Sequence, residues 1–579
     1  MSKIKSGILV GSIVLSLFCT GCSSKEIKAE TSLPKVDMTR WLYSSKDDVY
    51  YQTGIQYVEK PVDLNYETFG IFVPGNYFDA TDNGDGTFTV TVNSVNKVNG
   101  YTSSTAPIVI PVNTPGYSAM SAPKGYSGEV ASYTSQGFVY FNPGCRGRNE
   151  GAPAGITDLK AAIRYYRYCK DILPGNTDRI FSFGMSGGGA QSALLGATGD
   201  SELYEPYLES IGAVKGVSDA ICGSMDWCPI TNLDVANEAY EWNMGLSRTD
   251  LSTELKDLSV SLAQAFADAV NKMGLKDDNG NALTLEQSDD GMYQAGSYYE
   301  WIKSEIERSL NNFLKDTSFP YDSEKASGSF GFGMGHGPMG GAPGMDGGMP
   351  PDGGPMGMGE GMDFTQIDQI MRQEAKGTVE IKGVYETPSS YIDALNSAGH
   401  WVDYDEKTNT VKISSIEAFA KAVKPATKSV GAFDDLNSSQ GENTLFGDGD
   451  GKGKHWDKTM AALLKGTEYE ESYESDCKRV DALGKDLDYR INMYTPLYYL
   501  LKTSDGYKKS TVAKYWRIRT GIFQGDTSVT TEASLAQVLK NYGIKDVDFE
   551  MVWGMKHVEA ERTGNNTENF IAWVNSCLK

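Results

Sequence analysis

The sequence has few histidines, few cysteines and little positive charge for its length. Four histidines and eight cysteines occur in 579 residues. Lysine and arginine total 53 against 76 aspartate and glutamate residues, which gives a formal net charge of −23 at pH 7. A nucleic acid would be repelled by such a chain, because no basic stripe offsets the acidic residues. We therefore exclude nucleic acid as a partner and expect a solvated, acidic surface.

The cysteines are too scattered to form a structural zinc site. No CxxC pair occurs among them, and paired spacing is the usual signature of such a site. Cys222 and Cys228 could form a disulfide after export, and buried free thiols are an equally good interpretation. We expect neither a metal nor a cofactor.

A hydrophobic run long enough to cross a membrane is also missing, and the apolar N-terminal segment has the features of an export signal. Lys3 and Lys5 precede the apolar stretch 7–18, which ends in Cys19-Thr-Gly-Cys22. This end resembles a bacterial lipoprotein box, with an ordinary cleaved signal peptide as the alternative. We expect a signal at residues 1–22, lipidation of Cys22 and a polar tether at 23–40. The protein would then be extracytoplasmic and attached to the cell membrane by its lipid anchor only.

A G-x-S-x-G sequence at 184–188 lies between an apolar run and a segment of small residues. These flanks predict the end of a buried strand followed by the first turns of a helix. A serine on such a sharp turn is held above the sheet edge, and the helix start supplies N–H groups where negative charge develops in acyl transfer. The alternative is a glycine-rich connecting turn. We predict that Ser186 is a nucleophile, that the Gly187 N–H is one oxyanion-hole donor, and that the loop after Val112 supplies the second.

A serine nucleophile needs a histidine base, and the scarcity of histidine narrows the choice. His336 lies in a Gly/Met/Pro-rich stretch, His400 at the start of a predicted hairpin and His455 in a Gly/Asp-rich segment. His557 instead follows the predicted strand 547–552 and a short turn, just before the last helix. An α/β-hydrolase presents its histidine at this position, so we predict that His557 is the base.

The acid that orients this histidine should lie between Ser186 and His557, on the loop after the preceding strand. Asp526 is the carboxylate in that loop before Glu532, and we predict that it is the acid. A competing interpretation makes Asp526 the N-cap of the helix that follows.

Strand and helix patterns alternate over residues 41–234 and again over 488–579, which predicts a mostly parallel sheet covered by helices. We expect an α/β-hydrolase fold whose core consists of these two parts. Residues 235–487 are predicted to form a large lid inserted over the active edge of the sheet. Within the lid, the stretch 327–362 has a composition typical of a disordered loop.

Two local expectations concern the connections in these parts. Strand patterns at 66–73 and 87–92 flank the acidic glycine-rich turn 82–86, which predicts a hairpin rather than a calcium loop. At the start of the second core part, the pattern over 493–503 predicts one helix.

Three longer strings resemble the bacterial tannases (tannin acyl hydrolases), which are close to feruloyl esterases. They are Ala152-Pro-Ala-Gly-Ile-Thr-Asp-Leu-Lys-Ala-Ala162, Cys228-Pro-Ile-Thr-Asn-Leu-Asp234 and Tyr240-Glu-Trp242. The resemblance implies a Ser-His-Asp esterase of gallate esters whose lid binds the phenolic hydroxyls. It places the family's substrate-binding lysine on Lys428 and its glutamate on Glu442. Without the resemblance, both would be ordinary solvated charges.

The chain departs from this family at the acid loop. The family pattern is Asp-x-Asp, with the second aspartate binding substrate, whereas the chain has Gln524-Gly-Asp526. Asp526 could act as the acid and leave the substrate site, or stay a substrate contact while Gln524 orients the histidine. A shift of the alignment by one residue is the third alternative. We favour Asp526 as the acid.

These observations predict a serine esterase that acts on galloyl or related phenolic esters, with a small aromatic ester as its partner. A feruloyl or carbohydrate-acetyl esterase is the alternative within enzymes. A surface lipoprotein that binds phenolic compounds and has lost efficient catalysis is the alternative outside them, and Gln524 is the reason to consider it.

Overall fold

Short apolar runs of the chain form one large twisted sheet, seen here in a computed structural model that describes residues 29–324 and 377–579. Nine strands of these residues pair in the order β1-β2-β3-β9-β8-β10-β11-β16-β17. They are β1 (Leu42–Ser44), β2 (Val49–Gln56), β3 (Thr68–Pro74), β8 (Ile108–Val112), β9 (Val139–Pro143), β10 (Ile180–Met185), β11 (Gly223–Trp227), β16 (Tyr515–Gly521) and β17 (Asp546–Val552). The last six strands of that order pair in parallel, and the first four pair antiparallel.

The remaining strands form small two-stranded ribbons outside this sheet. These are β4 (Phe78–Asp82) with β5 (Phe88–Val92), β6 (Lys97–Val98) with β7 (Tyr101–Thr102), β12 (Tyr321–Asp322) with β13 (Val384–Tyr385), and β14 (Val402–Asp405) with β15 (Thr410–Ile413). The predicted hairpin around residues 82–86 is present, but the partner of β5 is β4. The predicted strand at 66–73 belongs to β3, which is buried along its whole length and joins the central sheet.

Helices connect and flank the central strands. They are α1 (Ala131–Thr134), α2 (Ala154–Tyr168), α3 (Gly187–Ala197), α4 (Glu205–Ser210), α5 (Ala236–Met244), α6 (Thr253–Met273), α7 (Ser297–Asp316), α8 (Pro388–Leu395), α9 (Ile416–Val423), α10 (Gly441–Leu445), α11 (Lys458–Leu463), α12 (Glu470–Cys477), α13 (Leu487–Tyr494), α14 (Pro496–Leu500), α15 (Val529–Tyr542) and α16 (Asn566–Cys577). The sheet with its flanking helices has the predicted α/β architecture.

The central sheet is interrupted in sequence between β11 and β16. Described residues from 228 to 514 add no strand to it and build helices and two ribbons instead. The domain boundaries at 234/235 and 487/488 stay a prediction. The helix expected over 493–503 is divided into α13 and α14, because Pro496, the first residue of α14, lacks the N–H that a continuous helix requires.

Three elements of the sequence analysis fall on residues that the structure leaves undescribed: the export signal with Cys22, the Gly/Met/Pro-rich stretch 327–362, and His336 within it. Among the helices of the described ranges, none has the length and apolar character needed to cross a membrane.

Candidate active site

Ser186 lies on the tight turn between β10 and α3. Its backbone has φ 59° and ψ −126°, a conformation that L-residues adopt at a cost of roughly 1–3 kcal/mol. The glycines on both sides are required by space: a Cβ on Gly188 would lie 2.1 Å from the Val112 carbonyl oxygen, and one on Gly184 would lie 2.5 Å from the backbone of Gly188. The G-x-S-x-G pattern therefore allows the close packing of helix on strand that holds the serine in place.

His557 faces this serine from the loop after β17. Its Nε2 lies 2.8 Å from Ser186 Oγ, within hydrogen-bond distance. The serine is fully buried and the histidine is 4% exposed, so bulk water does not separate the two groups. An unprotonated Nε2 at this distance can take the hydroxyl proton as the serine attacks.

The other ring nitrogen of His557 contacts Gln524. The distance from Nδ1 to Gln524 Oε1 is 2.5 Å, whereas the nearest Asp526 oxygen, Oδ2, is 3.8 Å from Nδ1. The expected hydrogen bond to Asp526 is therefore replaced by one to Gln524, and Asp526 acts on the ring only through its charge. Asp526 is not the N-cap of α15 either, because the Ser528 hydroxyl accepts from the Thr530 N–H.

Burial lowers the pKa of His557 below its ordinary value of 6.5. The negative charge of Asp526 opposes this shift, and the positive charges of Lys428 and Lys424 add to it. The imidazole is consequently neutral at pH 7, which is the form that a general base requires.

The predicted oxyanion-hole region is formed by the start of α3 and the loop after β8. Gly187 opens the helix, where backbone N–H groups have no partner within the helix. A Cβ on Gly187 would lie 2.5 Å from the Tyr117 nitrogen and 2.6 Å from the Thr114 carbonyl oxygen, so this loop packs directly on the helix start. The Tyr117 N–H already donates to Thr114 at 2.9 Å. The second donor stays a prediction for this loop.

Lys428 and Glu442 both act electrostatically on this region. The Lys428 ammonium lies 4.1 Å from the centre of the Phe433 ring, and its charge reaches His557. Glu442 is 5% exposed, and its charge adds to burial in raising the pKa of Tyr117, next to the start of α3. Lys428 therefore places a cation near His557, and Glu442 places a carboxylate near Tyr117 at the start of α3.

An open cleft of about 790 Å³ leads to Lys428. It is lined by residues 247–251 and 425–429, and Arg248 is its second cation. Arg248 donates to the Lys428 carbonyl oxygen at 2.9 Å and pairs with Glu241, which fixes this wall of the cleft.

Two buried charged residues contact the loop that carries Gln524, and the sequence analysis did not predict either of them. Lys424 donates to the carbonyl oxygens of Gln524 and Thr527, and Glu532 on α15 accepts from the Thr527 hydroxyl at 3.1 Å. A glutamate in the first turn of a helix is common, because it complements the helix dipole. Its contact with an amide eight residues earlier becomes visible only in the folded chain.

A cluster of metal-binding side chains and a pair of cysteines are two further kinds of site to consider among the described residues. Over 29–324 and 377–579, no group of three or more His, Cys, Asp or Glu side chains could hold a metal ion. Cys222 and Cys228 are free thiols, and the Cys228 sulfur lies 3.3 Å from the Val558 carbonyl oxygen. Of the two alternatives for these cysteines, the structure has the free thiols.

Comparisons with known proteins give one consistent result. The BD-FAE family model, a feruloyl-esterase-like domain, matches residues 98–269. The tannase of Lactobacillus plantarum is 25% identical with a TM-score of 0.64, and that of Fusobacterium nucleatum is 28% identical with a TM-score of 0.62. Each covers 92% of this chain and 95% of its own. A tannin acyl hydrolase in complex with ethyl gallate is 26% identical, with a TM-score of 0.60, and covers 92% of this chain and 94% of its own. No curated protein sequence matches. The predicted resemblance to bacterial tannases and the predicted α/β-hydrolase fold are confirmed.

Proposed function

We propose that this chain, a tannase-like carboxylic ester hydrolase of the α/β-hydrolase fold, hydrolyses galloyl or related phenolic esters through Ser186. The observation that carries the proposal is the 2.8 Å contact between Ser186 Oγ and His557 Nε2 at the turn before α3. A buried serine and a neutral histidine at this distance are the nucleophile and base of acyl transfer.

In the proposed mechanism, Ser186 Oγ forms a bond to the ester carbonyl carbon while its proton moves to His557 Nε2. The carbonyl oxygen becomes an oxyanion, which the Gly187 N–H and a second donor from the loop after β8 stabilise. The imidazolium then gives its proton to the leaving alcohol oxygen as the C–O bond breaks. Water attacks the acyl-enzyme by the same steps and releases the acid.

Gln524 supplies a neutral acceptor to the Nδ1–H of His557 in this mechanism. A neutral acceptor stabilises the imidazolium less than a carboxylate would, because a hydrogen bond to an ion is about twice as strong. The Asp526 carboxylate, 3.8 Å from Nδ1, supplies part of the missing negative charge.

The substrate preference is proposed from the charges beside the site. A ring with adjacent hydroxyls has several O–H donors, and the carboxylates of Glu442 and Asp526 can accept hydrogen bonds from them. The Lys428 ammonium stabilises partly ionised ring oxygens. The complex of a tannin acyl hydrolase with ethyl gallate supports this class of ligand. A feruloyl ester is the second candidate, favoured by the match to the BD-FAE family.

The test is turnover of methyl gallate, ethyl ferulate and an aryl acetate by the wild type and by Ser186→Ala and Glu442→Ala. We expect hydrolysis of methyl gallate that requires Ser186. Glu442→Ala should raise KM for the gallate ester by about tenfold, the loss of one hydrogen bond to a charged group, and leave the acetate unchanged. If the protein bound phenolic compounds but showed no turnover that depends on Ser186, a binding lipoprotein would replace the esterase as the proposed function.

The proposed location is the outer face of the cell membrane, with Cys22 lipidated. Labelling of the full chain with a fatty-acid probe in a bacterial host tests it, with Cys22→Ala as the variant. We expect the wild type to carry the label in the membrane fraction and the variant to carry none. Equal labelling of both would contradict the anchor.

A further inference from the structure

A buried carboxylate stands behind Gln524, on the side away from His557. Glu532 lies in the first turn of α15 and is fully buried. Gln524 Nε2 lies 2.9 Å from Thr520 Oγ1 and 3.4 Å from Glu532 Oε1. The amide of Gln524 therefore connects the histidine ring on one side with a carboxylate on the other.

The direction of this amide determines which nitrogen of His557 carries the proton. With Oε1 toward the ring, Nδ1 must hold the proton and donate it, which leaves the lone pair of Nε2 free for the Ser186 proton. With the amide reversed, its NH₂ would donate to Nδ1, and the proton would sit on Nε2, where it blocks the transfer. The two ends of an amide have nearly the same shape, so packing alone does not select between them.

Glu532 supplies the selection, because an ionised carboxylate only accepts hydrogen bonds. Its Oε1 accepts from the Thr527 hydroxyl at 3.1 Å and faces the Gln524 nitrogen. An amide oxygen turned toward this carboxylate would be repelled, whereas the NH₂ group is attracted. The orientation that suits Glu532 is thus the one that gives His557 the productive tautomer.

Lys424 keeps a positive charge beside this carboxylate. Its buried ammonium donates to the carbonyl oxygens of Gln524 and Thr527, the loop that carries the amide, and its charge favours the ionised form of Glu532. A carboxylate buried without such a partner would stay protonated to higher pH, and its O–H could then donate to a reversed amide.

We propose that Glu532 is a positioning residue of the esterase site, which orients the Gln524 amide and thereby sets the tautomer of His557. The inference rests on the proposed function, because it assigns the histidine the role of base. It makes Ser186, His557, Gln524 and Glu532 one chain of hydrogen-bonded groups, with the negative charge one residue further from the ring than in a Ser-His-Asp triad.

The experiment exchanges the amide and the carboxylate. Glu532→Gln should lower kcat on methyl gallate by about 10- to 100-fold, part of the range for general-base catalysis, with KM little changed. The double variant Gln524→Glu/Glu532→Gln places a carboxylate directly on Nδ1 and an amide behind it, and it should recover kcat to at least the wild-type level. Glu307→Gln, a buried glutamate on α7 that bonds to Lys412 and the Ile413 N–H, is the matched control and should keep wild-type activity.

A readout without substrate separates this inference from the proposed function. In protein labelled with ¹⁵N-histidine, the ring nitrogen shifts report the tautomer, and His557→Gln assigns the signal among only four histidines. We expect the Nδ1–H tautomer in the wild type and in Ser186→Ala, and a mixture in Glu532→Gln. Loss of esterase activity alone, with these tautomers observed, would overturn the proposed function and leave the positioning role in place.

Two results would overturn the positioning role. One is a wild-type tautomer and wild-type kcat in Glu532→Gln. The other is a folded double variant that is as slow as Glu532→Gln, because a merely structural glutamate would not be rescued by moving its charge to position 524.

Discussion

Two regions of the molecule bring a serine hydroxyl onto a histidine ring, one in the core and one in the segment between β11 and β16. In the core, His557 lies between Ser186 and Gln524. In the other region, His455 Nε2 lies 3.1 Å from Ser438 Oγ, and His455 Nδ1 lies 2.7 Å from Asp434 Oδ1. By side chains alone, the second group is the more complete Ser-His-Asp triad.

The two serines differ in whether the nearby backbone N–H groups are free to donate. Ser186 precedes α3, whose first N–H groups are available to an oxyanion. The N–H of Ser438 donates to the Asp435 carbonyl oxygen at 3.0 Å, and that of Ser439 donates to Asp435 Oδ1 at 2.7 Å. These two N–H groups already have acceptors, so they are not free to stabilise an oxyanion at Ser438.

The second group instead holds the polypeptide together. Asp434 accepts from the N–H groups of Trp456 and Asp457, at 2.8 Å each, and from the Asn443 side chain at 2.6 Å. The His455 ring stacks on Tyr473 with 3.6 Å between centroids. Hydrogen-bonded groups of the triad type are thus compatible with a purely structural role, and donors for the oxyanion distinguish the catalytic case.

The largest expected difference between the regions is in catalysis. Ser186→Ala should lower kcat on methyl gallate by roughly 10⁵- to 10⁶-fold, because the nucleophile is lost. Ser438→Ala should retain kcat within about twofold and lose about 1 kcal/mol of stability with its hydrogen bond. Steady-state kinetics of the two variants measures this, and comparable losses in both would erase the distinction.

The second difference concerns the residue behind each histidine. Gln524→Ala should lower kcat by roughly 10²- to 10³-fold, because the ring loses the acceptor that orients it. Asp526→Asn should lower kcat less and raise KM for phenolic esters, because this carboxylate is 3.8 Å from Nδ1 and 27% exposed. A larger loss of kcat in Asp526→Asn than in Gln524→Ala would return the acid role to Asp526.

The corresponding change in the second region should affect stability. Asp434→Asn replaces a buried carboxylate that accepts several hydrogen bonds, so we expect a loss of about 2–4 kcal/mol in the free energy of unfolding. Specific activity per folded molecule should stay close to that of the wild type. Denaturant unfolding, with activity measured on the folded fraction, separates the two effects. An unchanged midpoint would deny the structural role.

The smallest expected effect is a pH dependence confined to the core site. Burial raises the pKa of Glu532 to about 7, and the Lys424 charge together with the Thr527 and Thr520 hydroxyls opposes the rise. Below that pH the carboxylate takes up a proton, so kcat should fall as the pH decreases through about 7. His557 faces Asp526, Lys428 and Lys424, and its own lowered pKa adds a second loss at more acidic pH. In Gln524→Glu/Glu532→Gln the step near 7 should disappear. Its persistence there would assign it to another group.

Local patterns predicted those parts of the molecule that depend on neighbours in sequence. The turn at Ser186 requires only a strand, two glycines and a helix start, and the position of His557 follows from β17 and its loop. The predicted partner of β5 was wrong, because β3 and β4 both precede it in the sequence and either could pair with it. The apolar strand β3 is buried in the central sheet, while β4, with four exposed residues, forms the ribbon.

The groups around the histidines required the folded chain. Gln524 and Asp526 lie in the same loop, and their positions in the sequence do not show which of them contacts His557. The choice depends on a difference of about 1 Å between their distances to His557 Nδ1. Ser438 lies 17 residues from His455, and both are in a segment whose composition indicates only a loop. Glu532 resembles an ordinary helix-start residue until Lys424, from a distant part of the chain, is packed beside it.

The central claim is that acyl transfer takes place on Ser186, and trapping with an alkyl fluorophosphonate tests it most directly. Such a reagent phosphonylates a serine that has both an adjacent base and an oxyanion hole, and peptide mass spectrometry identifies the modified residue. We predict stoichiometric modification of the peptide that contains Ser186, its loss in Ser186→Ala, and none on Ser438. Modification of Ser438, or an unmodified Ser186 in folded wild-type protein, would contradict the account.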